Sequence, residues 1–114
     1  MADVDDRKVM IQPEKVEYII KKGCEYFGIE REALIYACGT KSNNHRIKRY
    51  IALVLYTKTE TPMETIAFLL RYARSEGVSN ALKKIKDELS DEFYGENRTK
   101  EIYKELLSYL NLPL

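Results

Sequence analysis

With 114 residues, this chain has room for one hydrophobic core and one domain. Apolar residues make up 45% of it and charged residues 32%, a mixture that excludes global disorder and favours a folded domain with a soluble surface. No run approaches the roughly 18 apolar residues of a membrane span, so no membrane partner is expected.

The opening segment, MADVDDRKVM, is acidic and has no apolar stretch, so it does not read as a secretory signal and the expected address is cytoplasmic. Cys24 and Cys38 fit reduced thiols there, and their spacing matches no metal motif. Net charge is only +1, but residues 41–86 hold ten Lys/Arg against three Glu, while the rest of the chain is net acidic. A basic middle of this kind attracts phosphate locally even in a near-neutral protein.

Apolar spacing is helical almost throughout, so the expected fold class is all-α, a compact bundle of about six helices containing a helix-turn-helix. Residues 1–12 read as a flexible N-terminal arm. Pro13 opens a first helix with Val16, Ile19, Ile20, Cys24 and Phe27 on one face, and Gly28 ends it. A short second helix is expected from Glu30 to Cys38, with Ala33, Leu34 and Ala37 inward and Gly39 as its stop. The polar loop Thr40–Asn44 offers Asn43 or Asn44 as the cap of a third helix, His45 to Lys58. That helix begins with Arg46, Lys48 and Arg49, and its remainder, Tyr50 to Tyr56, is apolar on nearly all sides, which marks the enclosed helix of a bundle.

Thr61, Pro62 and Glu64 spell a Thr-x-x-Glu capping box for a fourth helix, with Met63, Ile66, Ala67, Leu69 and Leu70 buried. A break near Tyr72–Arg74 precedes a fifth helix, capped by Ser75 and running to about Leu89, with Val78, Ala81, Leu82, Ile85 and Leu89 inward. Residues 13–89 thus form the domain. Residues 90–114 supply a connector and a sixth helix, Arg98 to Leu110, whose stripe Ile102, Tyr103, Leu106, Leu107 and Leu110 packs either on the domain or on a partner.

No catalytic constellation, Gly-rich phosphate loop or zinc spacing is visible. The expectation is therefore a non-enzyme without cofactor, metal or small-molecule substrate. His45, beside Asn44 and Arg46 in the basic loop, reads as a surface residue or a phosphate contact. The positive signal is the fourth and fifth helices, a capped short helix, a tight break and a second helix with a polar outward face. In such units the start of the second helix enters the DNA major groove. Base contacts would come from Ser75, Ser79, Asn80 and Lys83, since Asn can bond both adenine N6 and N7 and Ser or Lys can reach several base edges. Phosphate contacts would come from Lys41, Arg46, Lys48, Arg49, Arg71, Arg74 and Lys84.

The ungapped stretch Ile66 to Ile85 resembles the signature region in the C-terminal DNA-binding domain of the bacterial replication initiator DnaA, a Trp-repressor-like helix-turn-helix. Ile66, Val78, Ala81, Lys84 and Ile85 match that family's pattern. Upstream, Phe27-Gly28-Ile29 with Leu34, and Arg49-Tyr50-Ile51-Ala52-Leu53, resemble further family segments, so the similarity spans about Val16 to Leu89. The family's base-reading run Arg-Asp-His-Thr-Thr falls on Ala73-Arg74-Ser75-Glu76-Gly77, where none agrees, and its basic pair after the second helix is missing near Cys38-Gly39. The resemblance implies a related core and double-stranded DNA as partner, with a target unlike the origin box. The alternative expectation is a helical interaction module that kept the fold and lost DNA binding, favoured by the low net charge, the nine tyrosines and an acidic Glu76 at a would-be groove position. A homodimer or protein partner would then use residues 93–110, including Phe93, Tyr94, Tyr103 and Tyr109.

Overall fold

The computed structural model describes residues 12–36, 43–90 and 99–113. Among these residues are six helices and no strand: α1 Pro13–Phe27, α2 Arg31–Ile35, α3 Asn43–Lys58, α4 Met63–Leu70, α5 Ser75–Ser90 and α6 Thr99–Tyr109. The expected arm, Lys41, Ala37–Gly39 and the connector with Phe93 and Tyr94 lie outside the described residues, apart from Gln12 and Ser90 at their edges.

α3 is the axis of the fold, touching α1, α2, α4 and α5. From Ile47 through Leu55 no side chain of it is more than 5% exposed. A sequence apolar on every side has no solvent face to offer, which is why this helix is the enclosed one. Val16, Ile19, Ile20 and Cys24 of α1, Leu34 of α2, Ile66 and Leu70 of α4, and Val78, Leu82 and Ile85 of α5 complete the cluster around it. α1 approaches α3 closely because Gly23 faces Ile51, where a Cβ would lie 3.1 Å from the isoleucine side chain. Burial in this core also pushes the Cys24 thiol pKa up.

α6 packs back on the domain against α1 and α5. Leu106, Leu107 and Leu110 are buried, and Tyr26 and Tyr109 donate to Glu105 (2.9 Å) and Glu25 (3.3 Å), tying α1 and α6 together in both directions. Full burial of one leucine contributes about 1.5–3 kcal/mol. A chain ending at Ser90 should accordingly unfold at a clearly lower urea concentration than the full chain; equal midpoints would show that α6 adds nothing to the domain.

Several helix ends differ from expectation. α2 covers only Arg31–Ile35, with Tyr36 as its cap, and Ala33 is exposed because five residues make little more than one turn and only Leu34 points at the core. Arg31 instead secures α2 to α1 by a two-pronged pair with Glu17 (2.7 and 2.8 Å), which lowers the Glu17 carboxyl pKa and raises that of the guanidinium. Asn43 is already helical, so α3 begins before the expected His45. The Thr61–Glu64 capping box is not formed. Pro62 is the N-cap of α4, without a side-chain cap bond, and Thr61 is buried, its hydroxyl engaged with that of Thr59. The Thr59 hydroxyl and the Thr59 and Thr61 amides reach the Leu55 carbonyl, so these threonines close α3 rather than open α4. Ser75 is the first helical residue of α5, and Leu69 and Leu89 are half-buried rather than buried.

Four of the helices, α1, α3, α4 and α6, stop in left-handed residues. Gly28 (φ 70°) ends α1, with its own amide bonded to the Glu25 carbonyl and that of Ile29 to Cys24. Nothing lies within 4 Å of a Cβ built at Gly28, so Gly28→Ala has only the backbone cost, about 1–2 kcal/mol in chemical denaturation. A neutral result would mean that the turn relaxes to a negative φ. Glu60 (φ 54°), Arg71 (φ 61°) and Asn111 (φ 59°) adopt the same conformation after α3, α4 and α6.

Candidate nucleic-acid interface

α4, the four-residue turn 71–74 and α5 follow one another as a short helix, a tight turn and a longer helix. The turn is set by the αL Arg71, after which the Tyr72 amide bonds the Ala67 carbonyl at 2.9 Å and the Gly77 amide reaches the Arg74 carbonyl at 3.0 Å. Ser79, Asn80, Lys83 and Lys84 are exposed on α5, while Val78, Ala81, Leu82 and Ile85 face the core, the division its sequence period requires.

α3 contacts α5, and this brings the basic first turns of α3 beside the polar residues of α5. The expected contacts divide into two sets. Ser79 and Lys83 line a shallow groove with Met63, Leu82, Lys86 and Asp87, on the side of α5 that meets the start of α4. Asn80 and Lys84 line a recess of about 200 Å³ with His45, Arg49, Tyr72, Gly77 and Ala81, on the side that meets α3. Asn80 and Ser79 therefore look into different depressions, although they are neighbours in sequence.

The phosphate candidates are also unequal. Arg71, Arg74 and Lys84 are exposed. Arg71 holds its guanidinium 5.9 Å from the centre of the Phe68 ring. Arg46 is exposed and lies 3.7 Å from Glu88, which accepts a 2.8 Å hydrogen bond from Thr99 at the start of α6. Lys48 and Arg49, both expected to contact phosphate, are not surface cations. Lys48 is 2% exposed, its ammonium 4.6 Å from the centre of the Tyr72 ring, and Arg49 is 5% exposed in the wall of the recess. They are drawn inward because the helix that carries them is enclosed, and positions 48 and 49 lie on its covered turns. Ser75 is half-buried at the first turn of α5, and Glu76 beside it is exposed.

Arg49 and Lys84 line the recess together with His45, and Lys48 lies over the Tyr72 ring beside it. Burial and then the charges of Arg49, Lys48 and Lys84 depress the His45 pKa below its usual value of 6.5. Burial pushes the Tyr72 phenol up to about 12, so it remains a neutral donor at physiological pH. The Tyr72 hydroxyl and His45 Nδ1 are both buried without a hydrogen-bond partner. Sequence reasoning named Tyr72 only as part of the break and Gly77 only as a position of the resemblance, and weighed His45 as a surface residue or a phosphate contact without its neighbours in space. The recess is built by the meeting of α3, the turn and α5, and no local pattern encodes that meeting.

Among the described residues no group of three or more His, Cys, Asp or Glu could hold a metal ion, and no helix is long and apolar enough to cross a membrane. No family model, curated protein or solved structure matches the chain.

Proposed function

We propose that this chain is a small DNA-binding protein and not an enzyme, using a DnaA-like helix-turn-helix made of α4, the turn and α5, with a target unlike the origin box. The observation that carries the reading is that Arg49 and Lys84 line one recess with His45 and Asn80 while Lys48 lies over the neighbouring Tyr72 ring, with exposed Arg46, Arg71 and Arg74 on α3 and in the turn. Positive potential gathered at the junction of α3 and α5 is what a phosphate backbone requires. Lys84, Arg46, Arg71 and Arg74 anchor the backbone in this reading, Arg49 acts from the recess wall, and Asn80, Ser79, Lys83 and Ser75 reach for bases. Titration with duplex DNA at two salt concentrations tests it.

A specific observation also favours a second reading, a helical interaction module that has given up DNA. Tyr36 and Phe68 are each 71% exposed and Tyr109 is 44% exposed. Aromatic side chains of this size contribute much to protein interfaces when they are covered. Absence of DNA binding at low salt would transfer the function to that surface.

A further inference from the structure

The recess between α3 and α5 has features that general electrostatic attraction to DNA does not need. Its lining combines two cations, Arg49 and Lys84, with the Asn80 amide, and includes no carboxylate among the described residues. A third cation, Lys48, lies behind the Tyr72 ring. Glu88 is engaged with Arg46 and Thr99, and Glu76 is an exposed residue of the first turn of α5. Two of its lining residues, Tyr72 and His45, each carry a buried polar atom, the hydroxyl and Nδ1, without a hydrogen-bond partner. Leaving such an atom unsatisfied costs about 1–3 kcal/mol, which a hydrogen-bonding ligand would offset. The volume of about 200 Å³ falls below the roughly 300–1,000 Å³ of sites for drug-sized ligands, so the space suits one small polyatomic anion rather than a nucleoside.

We propose that this recess is a seat for a single phosphate group, held by Arg49, Lys84 and Asn80, with Tyr72 and His45 turning their unpartnered atoms toward it as donors. The inference rests on the DNA reading only for the source of the phosphate, which is a backbone phosphodiester or a free phosphate. In the seat, the Tyr72 hydroxyl donates to a phosphate oxygen, and His45 adopts the tautomer that carries its proton on Nδ1. An anion there reverses the unfavourable field of the three cations and stabilises the imidazolium, so binding raises the His45 pKa.

His45 is the only histidine in the chain, so its proton resonance reads the seat directly. The test follows that resonance against pH in inorganic phosphate and in chloride at matched ionic strength. Phosphate should raise the midpoint saturably by about one unit relative to chloride. Lys84→Ala, at an exposed position that leaves the core intact, should need about tenfold more phosphate for the same effect, as expected for one lost charge-assisted hydrogen bond. Lys86→Ala removes a cation from the same helix away from the recess, where its ammonium lies over Tyr56, and should leave the phosphate dependence unchanged. A second arm repeats the measurement with a short duplex whose binding is followed by fluorescence anisotropy. A duplex that binds and raises the midpoint makes the backbone the source. A phosphate effect without duplex binding, or with duplex binding that leaves His45 unmoved, keeps the seat and makes free phosphate the source. Duplex binding with no movement of His45 by either ligand overturns the seat and leaves the DNA reading standing. The seat is equally overturned if chloride reproduces the phosphate shift, or if both lysine variants saturate at the same phosphate concentration.

Discussion

Leu55→Ala is expected to lower the free energy of unfolding by about 2–5 kcal/mol. Leu55 is 0% exposed near the end of α3, the helix that packs against α1, α2, α4 and α5. Its truncation removes the transfer energy of the lost carbons and leaves a cavity that neighbours on several helices cannot close together. Its carbonyl also receives the Thr59 hydroxyl and the Thr59 and Thr61 amides, so displacement of this turn would disturb the entry into α4. Urea unfolding of parent and variant measures the difference. A loss below about 1 kcal/mol would show that the site collapses freely and that α3 is not the centre of the fold.

The second large effect concerns salt. With about four phosphates neutralised, the logarithm of DNA affinity should fall with the logarithm of salt concentration at a slope near −3.6, or about three and a half orders of magnitude per tenfold rise. Lys84→Ala should weaken binding to all sequences alike and make the slope shallower by about one contact. It is a cleaner anchor variant than Arg49→Ala, because Arg49 is 5% exposed and its removal would hollow the packing of α3 as well as delete a charge. Asn80→Ala should cost about 1–3 kcal/mol on a preferred site and relax the choice of base there. Binding that neither variant alters would place the DNA on another surface, and no binding at low salt would remove the DNA reading.

The number, type and order of the helices were legible because each depends on local period. The Val16–Cys24 stripe and the Val78–Ile85 stripe each settle into one face, and the uninterrupted apolar run of α3 has no other place than the centre. Gly28 announced its turn for the reason that only glycine enters the left-handed region without strain. The turns at Glu60 and Arg71 carried no such mark, since tertiary packing holds ordinary residues in the same conformation, whereas Asn111 is of a type that enters it more readily. Thr61 misled in the same way. Its spacing to Glu64 is that of a capping box, but closing α3 and burying the hydroxyl beside Thr59 proved the stronger requirement. In the candidate site, the outward face of α5 was legible from its period. The inward turn of Lys48 and Arg49 was not, because charge alone suggests solvent, and only the packing of the turn 71–74 over α3 shows otherwise.

Arg71 deserves a different reading from the other left-handed residues. A side chain in that conformation costs about 1–2 kcal/mol, and glycine would remove the strain at the expense of somewhat less than that in unfolded-chain entropy. The position therefore favours glycine by up to about 1 kcal/mol, so folding alone does not account for an arginine there. What distinguishes the two is the guanidinium beside Phe68 at the junction of α4 and α5. Residue 71 is thus a place where surface chemistry can drift or be tuned with little penalty to the domain, and a change of partner could begin there without first requiring a compensating change in the core.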